Sequence, residues 1–191
     1  MKIPKALIKK IVSIDENYSL CQPLPELSLY FFDILSRHRS KMLKWSAFAS
    51  TIKTTKDADR WIKEIYFFNQ GGQKFNAIII SEDQFAGMIA LHRIDKMNKR
   101  AEIGYWISHD HQRKKLISKV INPFLSYVFS NYPINRIDLI VAVENIKSIS
   151  VAERAGFIKE GMLKEYFIIN EICYDALIFR MLRSDFNLMY K

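Results

Sequence analysis

The chain has 191 residues and a mass of 22.5 kDa, which is enough for one domain with its own hydrophobic core. Hydrophobic residues make up 49% and charged residues 26%, while glycines and prolines are few (6 and 5), so disordered, low-complexity and collagen-like proteins are excluded. No apolar run approaches the ~18 residues of a membrane span, which excludes a membrane protein. No repeat, flexible linker or block of like charge marks a boundary, so we expect residues 1–191 to form a single domain.

The charge balance points to an anionic partner. Lysine and arginine total 29 against 20 acidic residues, which gives a formal net charge of +9. Such a charge favours phosphates, acidic proteins or nucleic acid without choosing among them. The longest basic cluster is only Arg113-Lys114-Lys115, so the chain lacks the basic tail of many nucleic-acid-binding proteins. We therefore do not expect nucleic acid as the partner.

Cysteine usage predicts a reducing compartment. The two cysteines, Cys21 and Cys173, form no CxxC pair, and no signal-like apolar segment follows Met1. We expect a cytoplasmic protein without a disulfide framework. Cys173 alternates within a predicted strand, so we expect a buried thiol rather than a nucleophile.

Hydrophobic periodicity predicts two helices in the first part of the chain. An opening extended stretch, which we count as one N-terminal strand, ends at residues 22–25. Apolar residues recur at three-to-four spacing over 26–37 and again over 56–69, as on one face of a helix. Gly71-Gly72 supplies the stop of the second helix.

From residue 74 the pattern changes to β-rich runs separated by short polar groups. Asn145 is a good N-cap for a helix that runs through Ala155, and Gly156 suits the position after it. The other elements that we predict are strands at 75–80, 85–94 and 101–108 in an antiparallel meander, a helix at 114–131, and strands at 137–143, 157–168 and 173–181. The predicted order is ααβββαβαββ after an N-terminal strand, an α/β (α+β) fold.

A strand that runs through a short turn into a basic helix start is the strongest local feature. The strand covers 101–107, and the helix begins near Arg113-Lys114-Lys115. The first N–H groups of a helix are unpaired and carry partial positive charge, so they form a ready anion site that a diphosphate would suit. The alternative is a surface helix whose first turn happens to be basic.

An ordered series of motifs runs through the second half of the chain. The motifs are Ala101-Glu102-Ile103-Gly104-Tyr105-Trp106-Ile107, His111-Gln112, Asn135-Arg136, Glu144-Asn145-Ile146-Lys147-Ser148, Glu153-Arg154-Ala155-Gly156-Phe157 and Glu160-Gly161. This series resembles the GNAT acyl-CoA-dependent N-acetyltransferases, and more narrowly the branch that acetylates the N-terminal amino group of ribosomal proteins. The resemblance covers roughly residues 24–183, and it implies the GNAT fold, with a mixed, mostly antiparallel central sheet flanked by helices, and acetyl-CoA as the acyl donor.

The resemblance also implies which residues bind acetyl-CoA. Backbone groups of the central strand would pair with the pantetheine amides, while the loop before the next helix would hold the pyrophosphate and Asn145 would meet the pantetheine or phosphate arm. We expect the Trp106 side chain to pack in the core. The implied residues are Tyr105, Trp106, Ile107, Gln112, Arg113, Lys114, Lys115, Leu116, Ile117, Ser118 and Asn145.

The pyrophosphate loop departs from the family pattern, because Lys115 stands where the family has its first glycine. Glycine is favoured in such loops since its missing Cβ lets the backbone approach phosphate oxygens. The Lys115 ammonium could compensate, or its Cβ and the Ile117 side chain could narrow the site. Our hypothesis is that acetyl-CoA binding is retained but altered.

The transfer of acetyl from a thioester to an amine needs a general base and a general acid. Glu102, on the central strand, matches a glutamate of related N-terminal acetyltransferases and is our candidate base; the alternative is a strand-end carboxylate that faces solvent or pairs with a lysine. Ser148, in the first turn of its helix, is the candidate acid implied by the ribosomal-protein branch; the alternative is a serine that bonds the backbone. Tyr166 is a third candidate, although aromatic residues in strands more often pack in the core.

The remaining features predict little chemistry. His109 and His111 lack a third ligand nearby, so we expect loop residues and no metal site. Trp45, with Phe48 nearby, lies in the region that shapes the acceptor pocket in this fold and is a candidate for substrate contact, although core packing is our expectation.

Three functions stay open at this stage. The first is acetylation of a protein N-terminus, with a ribosomal protein as the implied target. The second is acetylation of a small amine, such as a polyamine, an amino acid or an antibiotic. The third is a degenerate GNAT fold that only binds an anionic partner. A homodimer also stays open.

Overall fold

The computed structural model describes residues 1–42, 45, 48–112, 115–169 and 171–190, with only the backbone at His38, Ser40, Lys41 and Met42. The α-helices in these ranges are α1 (Ser28–Met42), α2 (Phe48–Thr51), α3 (Thr55–Gln70), α4 (Leu116–Asn131), α5 (Ile146–Arg154) and α6 (Arg183–Met189). The strands are β1 (Lys10–Ser13), β2 (Tyr18–Cys21), β3 (Phe75–Ser81), β4 (Gln84–Asp95), β5 (Arg100–Ile107), β6 (Arg136–Ala142), β7 (Ile158–Ile169) and β8 (Ile172–Leu182). Short 3₁₀ turns lie at Lys5–Leu7, Pro25–Leu27 and His109–His111.

The strands form one sheet in the order β1-β2-β3-β4-β5-β6-β8-β7. The β5·β6 pair is parallel, whereas β1·β2, β2·β3, β6·β8 and β7·β8 are antiparallel. The predicted mixed, mostly antiparallel sheet flanked by helices is therefore confirmed. None of the described helices is long and apolar enough to cross a membrane.

The local capping signals also hold. Thr54 and Asp57 form a capping box at the start of α3, and Gly71 ends that helix. The Asn145 side chain accepts a hydrogen bond from the Ser148 N–H and caps α5, and Gly156 follows α5 with φ +82°, a conformation that glycine adopts without strain.

The chain differs from the predicted element order in three places. The N-terminal stretch forms two strands rather than one, joined at Asp15, whose carboxylate accepts hydrogen bonds from the N–H groups of Asn17 and Tyr18. The helices α2 and α6 were not predicted, because segments of four and seven residues are too short to show a helical period. In addition, α1 continues to Met42, five residues beyond its predicted end.

The backbone divides into two compact units. The first comprises Met1–Ala90 and Tyr105–Phe124, and the second comprises Leu91–Gly104 and Leu125–Lys191. The core of the first unit contains an aromatic cluster in which Trp61 stacks on Phe31, with ring centroids 4.7 Å apart, and on Phe48 at 5.2 Å. Trp106 packs against the same cluster, 6.1 Å from Phe31, which confirms packing for the side chains of both Phe48 and Trp106. Trp45 is half-buried.

The cysteine prediction was half right. Both thiols are free, and Cys21 is buried, but Cys173 is exposed. The expectation of a buried Cys173 was wrong because this residue is the second of β8, beside the turn to the edge strand β7, where alternation along the strand carries no burial.

In the second unit, the Arg183 side chain stabilises the end of α4. Its guanidinium donates hydrogen bonds to the carbonyls of Phe129, Tyr132 (2.9 Å) and Ile134 (2.6 and 3.1 Å). The last carbonyls of a helix have no partner within the helix, so a cation at this position satisfies them and offsets the negative end of the helix dipole.

We expect Arg183→Ala to lower the free energy of unfolding by about 2–3 kcal/mol, because part-buried carbonyls lose a charged donor. Urea denaturation measures the change. Arg100→Gln is the control, since it removes an exposed arginine whose ion pair with Asp95 lies at the surface, and it should change the free energy much less. Equal losses in the two variants would contradict this role of Arg183.

Candidate active site

Glu102 lies where the parallel pairing of β5 with β6 ends. In the second unit this ladder runs from Arg100↔Arg136 through Ala101↔Ile137 to Glu102↔Asp138, and both strands continue beyond the last pair. Strands that continue without pairing have backbone groups to offer an extended ligand. Glu102 therefore stands at the start of such a segment.

A guanidinium joins the Glu102 carboxylate to a phenol. Arg93 Nη1 on β4 donates to Glu102 Oε2 at 3.0 Å and to Tyr166 Oη on β7 at 3.1 Å. The Glu102 side chain is only 22% exposed, while that of Arg93 is 71% exposed. The structure thus brings together two residues that the sequence singled out, Glu102 and Tyr166, through a third that sequence reasoning missed. Tyr166 is exposed rather than part of the core.

Arg93 could have been found from one signal in the sequence. The run from Phe85 to Ile94 is apolar except for His92-Arg93, and β4 is buried from Phe85 to Leu91. A cation is unusual at the end of a strand that is otherwise buried, so its presence indicates a specific partner. In the structure this partner is the Glu102 carboxylate.

Two strained backbone positions surround this cluster. Arg93 itself has φ +46° and Glu165, which precedes Tyr166, has φ +49°, in the left-handed region that residues with a side chain seldom occupy. Between Leu163 and Phe167, four steps along β7 match two along β8, which is an irregular bulge. The Asp175 carboxylate holds this bulge through the Glu165 N–H at 2.9 Å and Lys164 Nζ at 2.7 Å. Such bulges redirect side chains.

The pKa of Glu102 is raised, chiefly by burial of its carboxyl group. The nearby Arg93 cation acts in the opposite direction, and the Asp138 carboxylate adds to the rise. A raised pKa makes Glu102 a stronger base than an ordinary surface glutamate while it stays ionised above that pKa.

His92 lies against Gly104 of β5. Gly104 shares a face of β5 with Glu102, because alternate residues of a strand point the same way. A Cβ built on Gly104 would lie 2.9 Å from His92 Nε2, so the glycine leaves room for the imidazole. Sequence reasoning did not single out His92.

Asn145 and Ser148 form another group in the second unit. Asn145 Oδ1 accepts a hydrogen bond from the Ser148 N–H at 3.3 Å, and Ser148 is half-buried in the first turn of α5. The predicted cap is confirmed, and the roles of the Asn145 amide and the Ser148 hydroxyl toward acetyl-CoA stay predictions.

The predicted pyrophosphate loop belongs to the first unit. The Gln112 N–H bonds the His109 carbonyl at 3.1 Å, so the predicted loop histidines form a 3₁₀ turn before it. Arg113 and Lys114 lie outside the described residues. Lys115 is exposed and has φ +52°, and its carbonyl accepts the Lys119 N–H at 3.2 Å as α4 begins.

The described part of this loop fits an anionic group. Lys115 adopts the left-handed conformation that suits the glycine of the family pattern, and its ammonium is exposed. Leu116 and Ile117 are buried, and the Ser118 hydroxyl is a buried oxygen with no hydrogen-bond partner in the described residues. An orphaned hydroxyl at a helix start is a ready donor to a phosphate oxygen.

The histidines do not form a metal site in the described ranges, where no group of three His, Cys, Asp or Glu side chains could hold an ion. His111 is buried, and its Nδ1 lies 2.8 Å from Ser108 Oγ, which is also buried. This bond holds the turn that leads into the loop.

A family model described as an acetyltransferase (GNAT) domain matches residues 27–158, more than half of the chain. The chain belongs to the GNAT acetyltransferase family. It is therefore an acyltransferase that uses acetyl-CoA as its acyl donor.

Known relatives of this GNAT enzyme differ in their acceptors. The ribosomal-protein-serine acetyltransferase of Escherichia coli is 30% identical over 72% of this chain and 75% of its own. The spermidine N(1)-acetyltransferase of Vibrio cholerae is 33% identical over 56% of this chain and 61% of its own. The microcin C7 self-immunity acetyltransferase MccE, solved with acetyl-CoA and AMP, is 25% identical, covers 94% of this chain and 99% of its own, and superposes with a TM-score of 0.84. The acceptor is not settled by these names.

The charges around Glu102 predict a pH dependence. Asp138 on β6 raises the pKa of Glu102, so Asp138→Asn should move the acid limb of the kcat/KM profile to lower pH. Removal of Arg93 on β4 should move it to higher pH, because that cation lowers the same pKa. Steady-state rates between pH 5 and pH 9 measure both shifts, and an unchanged acid limb in the two variants would contradict Glu102 as the titrating base.

Lys115 allows the backbone and the charge of the loop to be tested separately. Lys115→Gly should raise the free energy of unfolding by about 0.5–1 kcal/mol, because glycine relieves the left-handed strain, and should weaken acetyl-CoA binding several-fold through loss of the ammonium. Lys115→Ala should weaken binding without that gain in stability. Calorimetric titration and thermal unfolding measure the two effects. Lys9→Gln, which removes an exposed charge elsewhere, is the control; an equal loss of binding there would assign the effect to net charge.

Proposed function

We propose that this GNAT enzyme acetylates the N-terminal α-amino group of a protein, with Glu102 as the general base. The carrying observation is the half-buried Glu102 carboxylate, paired with an exposed arginine at the end of the β5·β6 ladder. An α-amino group brings one positive charge to this pair, whereas a polyamine would bring several charges against Arg93. The ribosomal-protein-serine acetyltransferase among the relatives supports the same acceptor, with a ribosomal protein as the target.

Acetyl-CoA supplies the acetyl group as a thioester. Glu102 accepts a proton from the acceptor ammonium, directly or through one water, so that the nitrogen lone pair forms the new N–C bond. The C–S bond breaks, the sulfur takes a proton from a general acid, and the nitrogen releases its second proton to solvent as the neutral amide forms. Arg93 holds the Glu102 carboxylate at 3.0 Å and so limits its rotation before the proton transfer.

Two hydroxyls are candidates for the general acid. Ser148 is the one that the family resemblance implies, and it lies in the first turn of α5, beside its cap Asn145. Tyr166 is the second, and its oxygen accepts the Arg93 N–H, so its own proton is directed to another acceptor. Each hydroxyl would donate to the departing sulfur.

The cofactor-binding residues are proposed as the sequence predicted them. In the first unit these are the backbone of Tyr105, Trp106 and Ile107 and the loop from Gln112 to Ser118. The Lys115 conformation and the orphaned Ser118 hydroxyl support the loop. In the second unit, the proposed cofactor-binding residue is Asn145.

A small amine is the second candidate acceptor. The spermidine N(1)-acetyltransferase at 33% identity favours it. The exposed guanidinium of Arg93 beside the base, and the net charge of +9, count against a polycation. An amino acid, which carries a carboxylate beside its amino group, meets no such repulsion.

Glu102→Gln should lower kcat/KM for an N-terminal peptide by about 10²–10⁴-fold, because glutamine cannot accept the proton. Acetylation of peptides with a free α-amino group, followed by mass spectrometry, is the measurement, and spermidine is the competing acceptor. Glu64→Gln, at an exposed position of α3, is the matched control and should keep full activity. Faster transfer to spermidine than to every peptide would overturn the proposed acceptor, and full activity of Glu102→Gln would overturn the base.

A further inference from the structure

We infer that Arg93 recognises a carboxylate of the acceptor, so that the substrate class is a protein N-terminus with acidic residues directly after its α-amino group. This inference rests on the proposed function, because it names the acceptor of the same site. It concerns a residue that neither the sequence motifs nor the relatives pointed out.

The guanidinium of Arg93 has donors to spare. In the described part of the chain, its bonds to Glu102 and Tyr166 both come from Nη1, at 3.0 and 3.1 Å. Nε and Nη2 take no part in those two bonds, and the side chain is 71% exposed. A guanidinium offers its donors as a planar fork that matches the two oxygens of a carboxylate. Arg93 is therefore anchored at one nitrogen and open to solvent at the others.

The backbone that positions the Arg93 side chain is strained. Arg93 has φ +46° within β4, and this left-handed conformation is unfavourable for a residue with a Cβ. Glu165, directly before Tyr166, has φ +49° and is strained in the same way. The hydrogen bond between Arg93 and Tyr166 thus has a strained residue at one partner and next to the other. Strain of this kind concentrates at functional sites, which indicates that the position of this bond matters.

The charges of Glu102 and Arg93 are complementary to those of a zwitterion. Glu102 and Arg93 present a carboxylate and a guanidinium side by side, with a bond of 3.0 Å between them. An acceptor whose ammonium faces Glu102 can place a neighbouring carboxylate on Arg93, so both of its charges meet an opposite one. Spermidine has no anionic group for Arg93. The net charge of +9 also favours the approach of an acidic protein.

The test compares two peptides that differ only in charge. One carries Asp at its second and third residues and the other carries Asn there, both with free α-amino groups. Each is assayed with the unmodified protein, with Arg93→Gln and with Arg100→Gln. Arg100 is an exposed arginine on β5 that pairs with Asp95, so this control removes the same charge without touching Glu102.

We expect the unmodified protein to prefer the Asp peptide at least tenfold in kcat/KM, with the difference mainly in KM. The ratio should fall to within twofold of unity in Arg93→Gln and stay unchanged in Arg100→Gln. Because the ratio is taken within each variant, any effect of Arg93→Gln on the base affects both peptides and cancels. Anisotropy of the fluorescently labelled Asp peptide gives a second readout, and its Kd should rise at least fivefold in Arg93→Gln alone.

The outcomes separate the two proposals. Equal use of the Asp and Asn peptides by the unmodified protein overturns the role of Arg93 and leaves the proposed function in place. A preference for Asp that survives in Arg93→Gln also overturns it, because the recognition then lies elsewhere. Failure to acetylate either peptide overturns both proposals.

Discussion

The half-buried carboxylate of Glu102 sets the constraint around which the site is built. A charge on an inner strand loses much of its hydration, and it persists only with a partner nearby. The partner is Arg93 on the neighbouring strand, whose backbone is in the strained left-handed conformation. The same nitrogen of Arg93 donates hydrogen bonds to both Glu102 and Tyr166. The bulge in β7 that presents Tyr166 is held in turn by Asp175. The carboxylate, the guanidinium and the phenol thus depend on one another.

An ion-pair network supports the strands behind Glu102. Arg136 on β6 bonds Asp138 at 2.7 Å and Glu160 of β7 at 2.6 Å, and Arg180 of β8 bonds Glu160 at 3.1 Å. These ion pairs therefore connect the neighbouring strands β6, β8 and β7. The network also keeps Asp138 in place opposite Glu102, where its charge counters part of the effect of Arg93.

At Lys115 the residue differs from the family pattern, while the backbone conformation is one that suits glycine. The family pattern has glycine there, and this chain adopts the glycine-like conformation with a lysine at φ +52°. The strain is the cost of placing an ammonium where the helix start already attracts anions. This arrangement supports the proposed role of the loop in binding the pyrophosphate, although the loop has no glycine.

The sequence by itself determined the longer helices and strands from 26 to 181, the cap Asn145, and the family, because these depend on local periodicity and on motifs contiguous in the chain. It also singled out Glu102 and Tyr166 as separate candidates. Only the tertiary structure joined them, since Arg93 and Tyr166 are 73 residues apart and meet through a strained residue in β4 and a bulge in β7 that leave no local signal. It alone showed that Cys173 is exposed, because burial in a strand depends on what packs against it. Local interactions thus set the elements and their ends, whereas the chemistry of the site came from long-range contacts between strands.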